Sequence, residues 1–174
     1  MSAQTRYGYS TPIGAAGGIV DLAPYAIDTF LNEEKTGVMK FGLGVVSGSN
    51  PGHNAKRPTS AAKATDFLGI VTNNRSTEYD LEGKIYIRNG KPMGVMRYGR
   101  IYGRVADDVE PAYGNPVYLV TSGDDAGCFT NVAADGVAIK ARFLSGVDAS
   151  TKVAMIELFN QAQEDATTSG SGGN

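Results

Sequence analysis

One histidine, His53, and one cysteine, Cys128, bound the covalent and metal chemistry open to this 174-residue chain. A single imidazole and a single thiol exclude a Cys-rich zinc knuckle, a multi-histidine metal site and an intramolecular disulfide. A Ser-His-Asp triad would have to use His53, which stands in the turn-rich stretch Asn50-Pro51-Gly52-His53-Asn54 with no G-x-S-x-G elbow anywhere in the chain. His53 therefore reads as a solvated loop residue. Cys128, in Gly127-Cys128-Phe129, has no neighbouring base and reads as a small, partly buried hydrophobe at a strand start. The paired acids Asp107-Asp108 and Asp124-Asp125 suggest acid-base hydrolysis, but neighbours on a strand point to opposite faces and neighbours in a turn face water. They also lack the spacing and terminal Glu of a calcium loop. Gly42-x-Gly44-x-x-x-Gly48 departs from the dinucleotide fingerprint and no helical pattern follows it, so it reads as a glycine-bearing strand. The expectation is a protein that is not an enzyme and uses no metal or cofactor.

What remains is charge. The totals nearly balance, sixteen Lys and Arg against eighteen Asp and Glu, which gives no global reason to seek nucleic acid or an anionic membrane as partner. Locally the charges separate. Residues 84–104 contain Lys84, Arg88, Lys91, Arg97, Arg100 and Arg104 without one acid, whereas residues 105–139 contain Asp107, Asp108, Glu110, Asp124, Asp125 and Asp135 without one base. Within the basic stretch, Arg97-Tyr98-Gly99-Arg100-Ile101-Tyr102-Gly103-Arg104 interleaves two residue types enriched at interface hot spots and able to stack on bases. Two outcomes are open for it: ion pairing with an acidic neighbour in the same subunit, or contact with an oppositely charged band on another.

The elements that must position these residues are strands. Valine (14), isoleucine (9), threonine (13) and tyrosine (9) outnumber leucine (8), and β-branched and aromatic side chains favour a pleated, half-buried surface. The 23 glycines and 7 prolines are scattered between short apolar runs, as turns require. Strands are predicted at 25–31, 38–47, 67–73, 84–89, 93–105, 116–121, 137–145 and 152–159, each bounded by turn residues. Two hairpins are expected. One runs through KIYIRNGKPMGVM with Asn89-Gly90 as a type I′ turn, the other pairs IKARFLSG with KVAMIELF. Residues 48–66 read as an exposed polar loop. The fold expected is an all-β antiparallel barrel or sandwich: an extended N-terminal arm over 1–24, a single barrel-like domain over 25–160 and a disordered, flexible tail over 161–174. No signal peptide and no apolar run near the roughly 20 residues of a spanning helix is evident, so a soluble, unprocessed product is expected.

Several short segments together give the chain a family likeness. They are the arm, then Phe41-Gly42-Leu43-Gly44-Val45-Val46-Ser47-Gly48, Asp66-Phe67-Leu68-Gly69-Ile70-Val71, Gly94-Val95-Met96-Arg97-Tyr98-Gly99-Arg100-Ile101 and Gly114-Asn115-Pro116-Val117-Tyr118. In their order, across roughly residues 37–159, the chain resembles the head decoration or structural cement proteins of tailed bacteriophages. That resemblance implies a small β domain on the outer surface of the virion, assembled in the host cytoplasm. It also implies contact with the major capsid protein and self-association as a dimer or trimer, so that neighbouring capsid subunits are bridged. On the residues themselves, Arg6, Tyr7 and Tyr9 of the arm and Arg97, Tyr98, Arg100, Tyr102 and Arg104 are the expected partner contacts. Deleting residues 2–18 is expected to leave a folded domain that no longer binds heads. The competing expectation is a single-stranded nucleic-acid or carbohydrate binder stacking its ligand on Tyr86, Tyr98 and Tyr102.

Overall fold

The strand β7 (Pro92–Arg104), thirteen residues long, belongs to two barrels at once. The computed structural model describes residues 14–73, 78–79 and 85–159; Arg6, Tyr7, Tyr9, Lys84 and the 161–174 tail lie outside the described residues. Before β7 come β1 (Ala26–Asn32), β2 (Gly44–Ser47), β3 (Asn54–Lys56), β4 (Phe67–Val71), β5 (Glu78–Tyr79) and β6 (Ile85–Tyr86). After it come β8 (Pro116–Val120), β9 (Phe129–Thr130), β10 (Gly136–Phe143) and β11 (Val153–Leu158). Among the described residues there is no α-helix, only two 3-10 turns at Ala64–Asp66 and Ala133–Asp135. The all-β expectation holds.

The first half of β7 closes a ring β1-β3-β2-β4-β7-β1, in which only the β1–β3 contact is parallel. The second half leads into β7-β11-β10-β8-β9, all antiparallel, and Val105 then bridges back to Phe129 of β9. Full closure leaves few unpaired edges to template aggregation.

Side-chain alternation separates the two cores. Val45, Val71, Met93 and Val95 fill the first barrel with Phe30, Met39, Phe41 and Ile87. Their strand neighbours Val46, Ile70 and Met96 point the opposite way into the second core with Ile101, Leu119, Phe129, Phe143, Ile156 and Leu158. Two bulges keep this parity correct along the chain. In β4, Val45 faces Gly69 but Val46 faces Phe67, so Phe67 and Ile70, three apart, share a face. Gly69 takes φ 152° there, and a Cβ would overlap the Met96 carbonyl oxygen. In β7, Ala26 faces Tyr98 but Ile27 faces Met96, leaving Arg97 as the extra residue. Met96, Ile101 and Val105 therefore all reach the second core, and Tyr98, Arg100, Tyr102 and Arg104 take the opposite face.

Three local expectations need correction. Of the predicted strand 38–47 only 44–47 is strand, because Gly42 adopts φ 76° and breaks the ladder, although Met39, Phe41 and Leu43 are buried at period two. The predicted loop 48–66 contains β3, whose fully buried Ala55 completes the first barrel. Three residues, two of them polar, carry too little periodic signal to be seen. The predicted 84–89/93 hairpin does not pair with itself. β6 pairs with β5, while Pro92–Tyr98 pairs with β1 and Met96 and Val95 with β4, so both edges of β7 are occupied. The turn survives, with Lys91 N–H donating to Arg88 O, but only Gly90 has positive φ. Asn89 instead donates its amide to the carbonyls of Glu33 and Glu34, tying the turn to the end of β1. The β10–β11 hairpin forms as expected, with Asp148 accepting from the Ser150 and Thr151 backbone N–H groups in its turn.

Candidate docking surface

The described part of the N-terminal arm, 14–24, is laid along the second half of β7. Gly17 and Val20 N–H donate to the carbonyls of Tyr102 and Arg100, Tyr102 N–H donates to Gly18 O, and Ile19 bridges Ile101. A Cβ on Gly14 would overlap the Tyr102 ring, so glycine lets this backbone pass directly over the aromatic face. Tyr102 is consequently buried within its own subunit.

The structure thus distributes the expected contact residues unequally. Tyr98 is 41% exposed. Arg97 lies on the surface with its Nε 3.2 Å from Asp28 Oδ2. Arg100 donates through Nη1 to Asp21 Oδ2 at 2.8 Å and through Nε to Glu157 Oε1 at 3.0 Å. Glu157 also accepts from Arg142 Nε at 2.6 Å, and the Arg142 guanidinium lies 5.7 Å from the Phe159 ring centroid. Arg104 donates through Nε to Phe41 O at 2.8 Å. Among the described residues, the acids paired with the β7 arginines are Asp21, Asp28 and Glu157, none of them from 105–139. Within that acidic stretch, Lys152 pairs with Asp107 at 3.5 Å, while Asp107, Asp124, Asp125 and Asp135 line one open cleft on the second barrel.

The Asp21-Arg100-Glu157-Arg142 chain fastens the arm to β7, β11 and β10, and it titrates. The Arg100 hydrogen bond, then that from Ala23 N–H, holds the Asp21 carboxyl below the usual range. Burial pushes Glu157 upward, but Arg100 and Arg142 together outweigh it and its pKa is also lowered. Groups that ionise more readily folded than unfolded contribute stability that is complete above the ordinary carboxylate range and lost as pH falls through and below about pH 4. Denaturant midpoints should therefore fall between pH 7 and pH 3.5, and Glu157→Gln should flatten that dependence. An unchanged slope in the Gln variant would remove Glu157 from the account.

Sequence reading missed the apolar part of this surface. Leu22, Tyr25, Ile27, Leu31 and Phe159 are all exposed, Ile27 and Leu31 along β1. Tyr25 packs over Gly99, Ala26 pairs with Tyr98, and Ala23, Pro24, Tyr98 and Phe159 line a shallow cleft of about 270 Å³. The available signal was β1 itself, AIDTFLN, in which exposed Ile27 and Leu31 alternate with half-buried Ala26 and Asp28 and buried Phe30 and Asn32. Isolated exposed apolar residues are ordinary, but Tyr98 and Phe159 line one cleft together, which makes it a candidate contact site. The other candidate chemistry recedes. His53 is an exposed loop residue, and burial pushes the Cys128 thiol up to about 11, where it is not a nucleophile at neutral pH.

A sequence profile described as structural cement protein (E217 gp24/Pam3 gp6) matches residues 3–159. Among solved structures, a chain from "The capsid of Myoviridae Phage XM1" shares the fold with a TM-score of 0.66 and 16% identity, over 91% of this chain and 98% of that chain. No curated protein sequence matches. With the profile covering both barrels and most of the arm, the chain belongs to the phage structural cement protein family and is a structural protein of the virion capsid.

Proposed function

We propose that this protein decorates the outside of a phage head, binds the major capsid protein and bridges neighbouring capsid subunits without catalysing a reaction. The observation that carries the reading is the apolar, charge-rimmed surface around Tyr98, built where the arm joins the body. Arg6, Tyr7 and Tyr9 precede that junction in sequence and extend the same contact, with Arg97 at its edge. The acidic cleft on the second barrel offers a complementary band to the next copy, so self-association as a dimer or trimer accompanies binding. Each contact is small. Repetition around a shell makes later engagements effectively intramolecular and multiplies the holding strength without new contacts.

The nucleic-acid or carbohydrate reading loses its platform, because Tyr102 lies under Gly14 and Gly18 and cannot join Tyr98 in stacking on a ligand.

The test mixes purified protein with undecorated heads and follows co-sedimentation and head survival on heating. Truncation should stop before Gly14, since Gly14–Gly18 cover Tyr102 and Gly17 O accepts from Asn73 N–H. Removing residues 2–12 should leave the unfolding midpoint unchanged and reduce head occupancy at least about tenfold, as the loss of one multivalent contact does. Full occupancy by the truncated protein would exclude the arm, and failure of the intact protein to sediment with heads would refute the reading. Light scattering of the free protein separates monomer from dimer or trimer.

A further inference from the structure

On the far side of Tyr102, where β7 ends, two guanidinium groups share one pocket of about 210 Å³. Arg104 is partly buried, and its single hydrogen bond, from Nε to Phe41 O, leaves both terminal nitrogens without a partner among the described residues. Arg57 is pinned from the other wall, its Nε donating to Ala126 O and its Nη2 to Asp124 O, both at 2.7 Å. Neither arginine makes an ion pair among the described residues, although Asp107, Asp124 and Asp125 also line the pocket. Lys40 and Lys152 complete the cationic lining, with Lys152 already committed to Asp107. Burial has drawn the Arg104 pKa below the ordinary guanidinium value, the cost expected of a desolvated cation lacking a counter-charge.

Two planar forks held by backbone carbonyls, with donors left over, are arranged in advance for an anion. The pocket, about 210 Å³, has ample room for a side-chain head group. A carboxylate matches such a fork with two parallel hydrogen bonds and is the anion an unmodified protein partner presents. We infer that the Arg57-Arg104 pocket is a receptor for a carboxylate, supplied by an acidic side chain or the chain terminus of a protein partner in the capsid lattice. This rests on the decoration reading for the identity of the partner, but not for the existence of the site.

The experiment has two arms. In the first, acetate is titrated into the intact free protein while the arginine Nε–H NMR signals are followed, with chloride at matched ionic strength and inorganic phosphate as comparisons. The Arg104 and Arg57 signals should shift saturably with acetate, more than with either comparison, and Arg104→Met should abolish the Arg57 response. In the second, Arg104→Met, or Arg57→Met should the first variant fail to fold, should bind heads at least tenfold more weakly than wild type. Absence of a saturable acetate shift, or an equal response to phosphate, overturns the carboxylate site even if heads bind normally. Failure of wild-type protein to bind heads, with the acetate response intact, would instead strike the decoration reading alone.

Discussion

Phe129→Ala is expected to lower the free energy of unfolding by about 3–5 kcal/mol, the range for truncating a fully buried aromatic side chain. Phe129 is inaccessible to solvent and stands where the two barrels meet. A Cβ built on Gly44 of β2 would lie 2.9 Å from its Cζ, and one built on Gly103 of β7 would lie 2.9 Å from its Cδ2. Two glycines thus make the slot, and the ring fills it. Backbone bonds hold the same point, with Ala106 N–H donating to Phe129 O and Gly44 N–H donating to Gly127 O. The surrounding strands belong to closed rings and cannot collapse into the vacated space, which puts the cavity contribution at the high end. Gly103→Val should also destabilise, by overpacking, since its Cβ would lie 2.5 Å from Ile156 Cδ1. Equilibrium urea unfolding measures both. A loss under about 1 kcal/mol for Phe129→Ala, outside the usual range for such truncations, would mean the barrels do not share this packing.

The second large effect is on binding. Tyr25→Ala combined with Tyr98→Ala should weaken attachment to heads by about thirtyfold or more, the equivalent of one hot-spot aromatic contributing about 2 kcal/mol. Both side chains are about half exposed in the free protein, so the pair should leave thermal unfolding nearly unchanged. Tyr113, exposed on the loop before β8, is the control: Tyr113→Ala should bind like wild type. Equal affinities for the two variants, measured by co-sedimentation over a concentration series, would remove the Tyr98 face from the interface.

These expectations show where the chain was readable before its fold was known. Strands with sustained alternation, β1, β7, β8, β10 and β11, sit close to the predicted ranges, because burial on one face imposes a period of two. β3 did not show itself, and β9 showed only as a strand start beside Cys128. A strand of three or two residues has no period, and both exist because long-range closure of a barrel captures them. The Asn89-Gly90 turn was visible while its partner strand was not, since turn chemistry is local and strand pairing is decided by competition for β7's edges.

The candidate docking surface followed the same rule. The arginines and tyrosines of 97–104 drew attention by type, but type could not say that Arg100 would meet Asp21 and Glu157, residues 79 and 57 positions away. Nor could it place Tyr102 beneath a glycine of the arm. One extra residue in β7, Arg97, shifts parity for everything after it and puts Tyr98, Arg100, Tyr102 and Arg104 on a common face. The Arg57-Arg104 pocket joins segments from five parts of the chain and had no linear signature.

A cryo-EM reconstruction of heads decorated with this protein tests the central claim most directly. The account predicts density for both barrels outside the shell, with the surface around Tyr25, Tyr98 and Phe159 pressed against capsid subunits and spanning from one to the next. Density inside the shell, or a subunit held with that surface facing solvent, would contradict it.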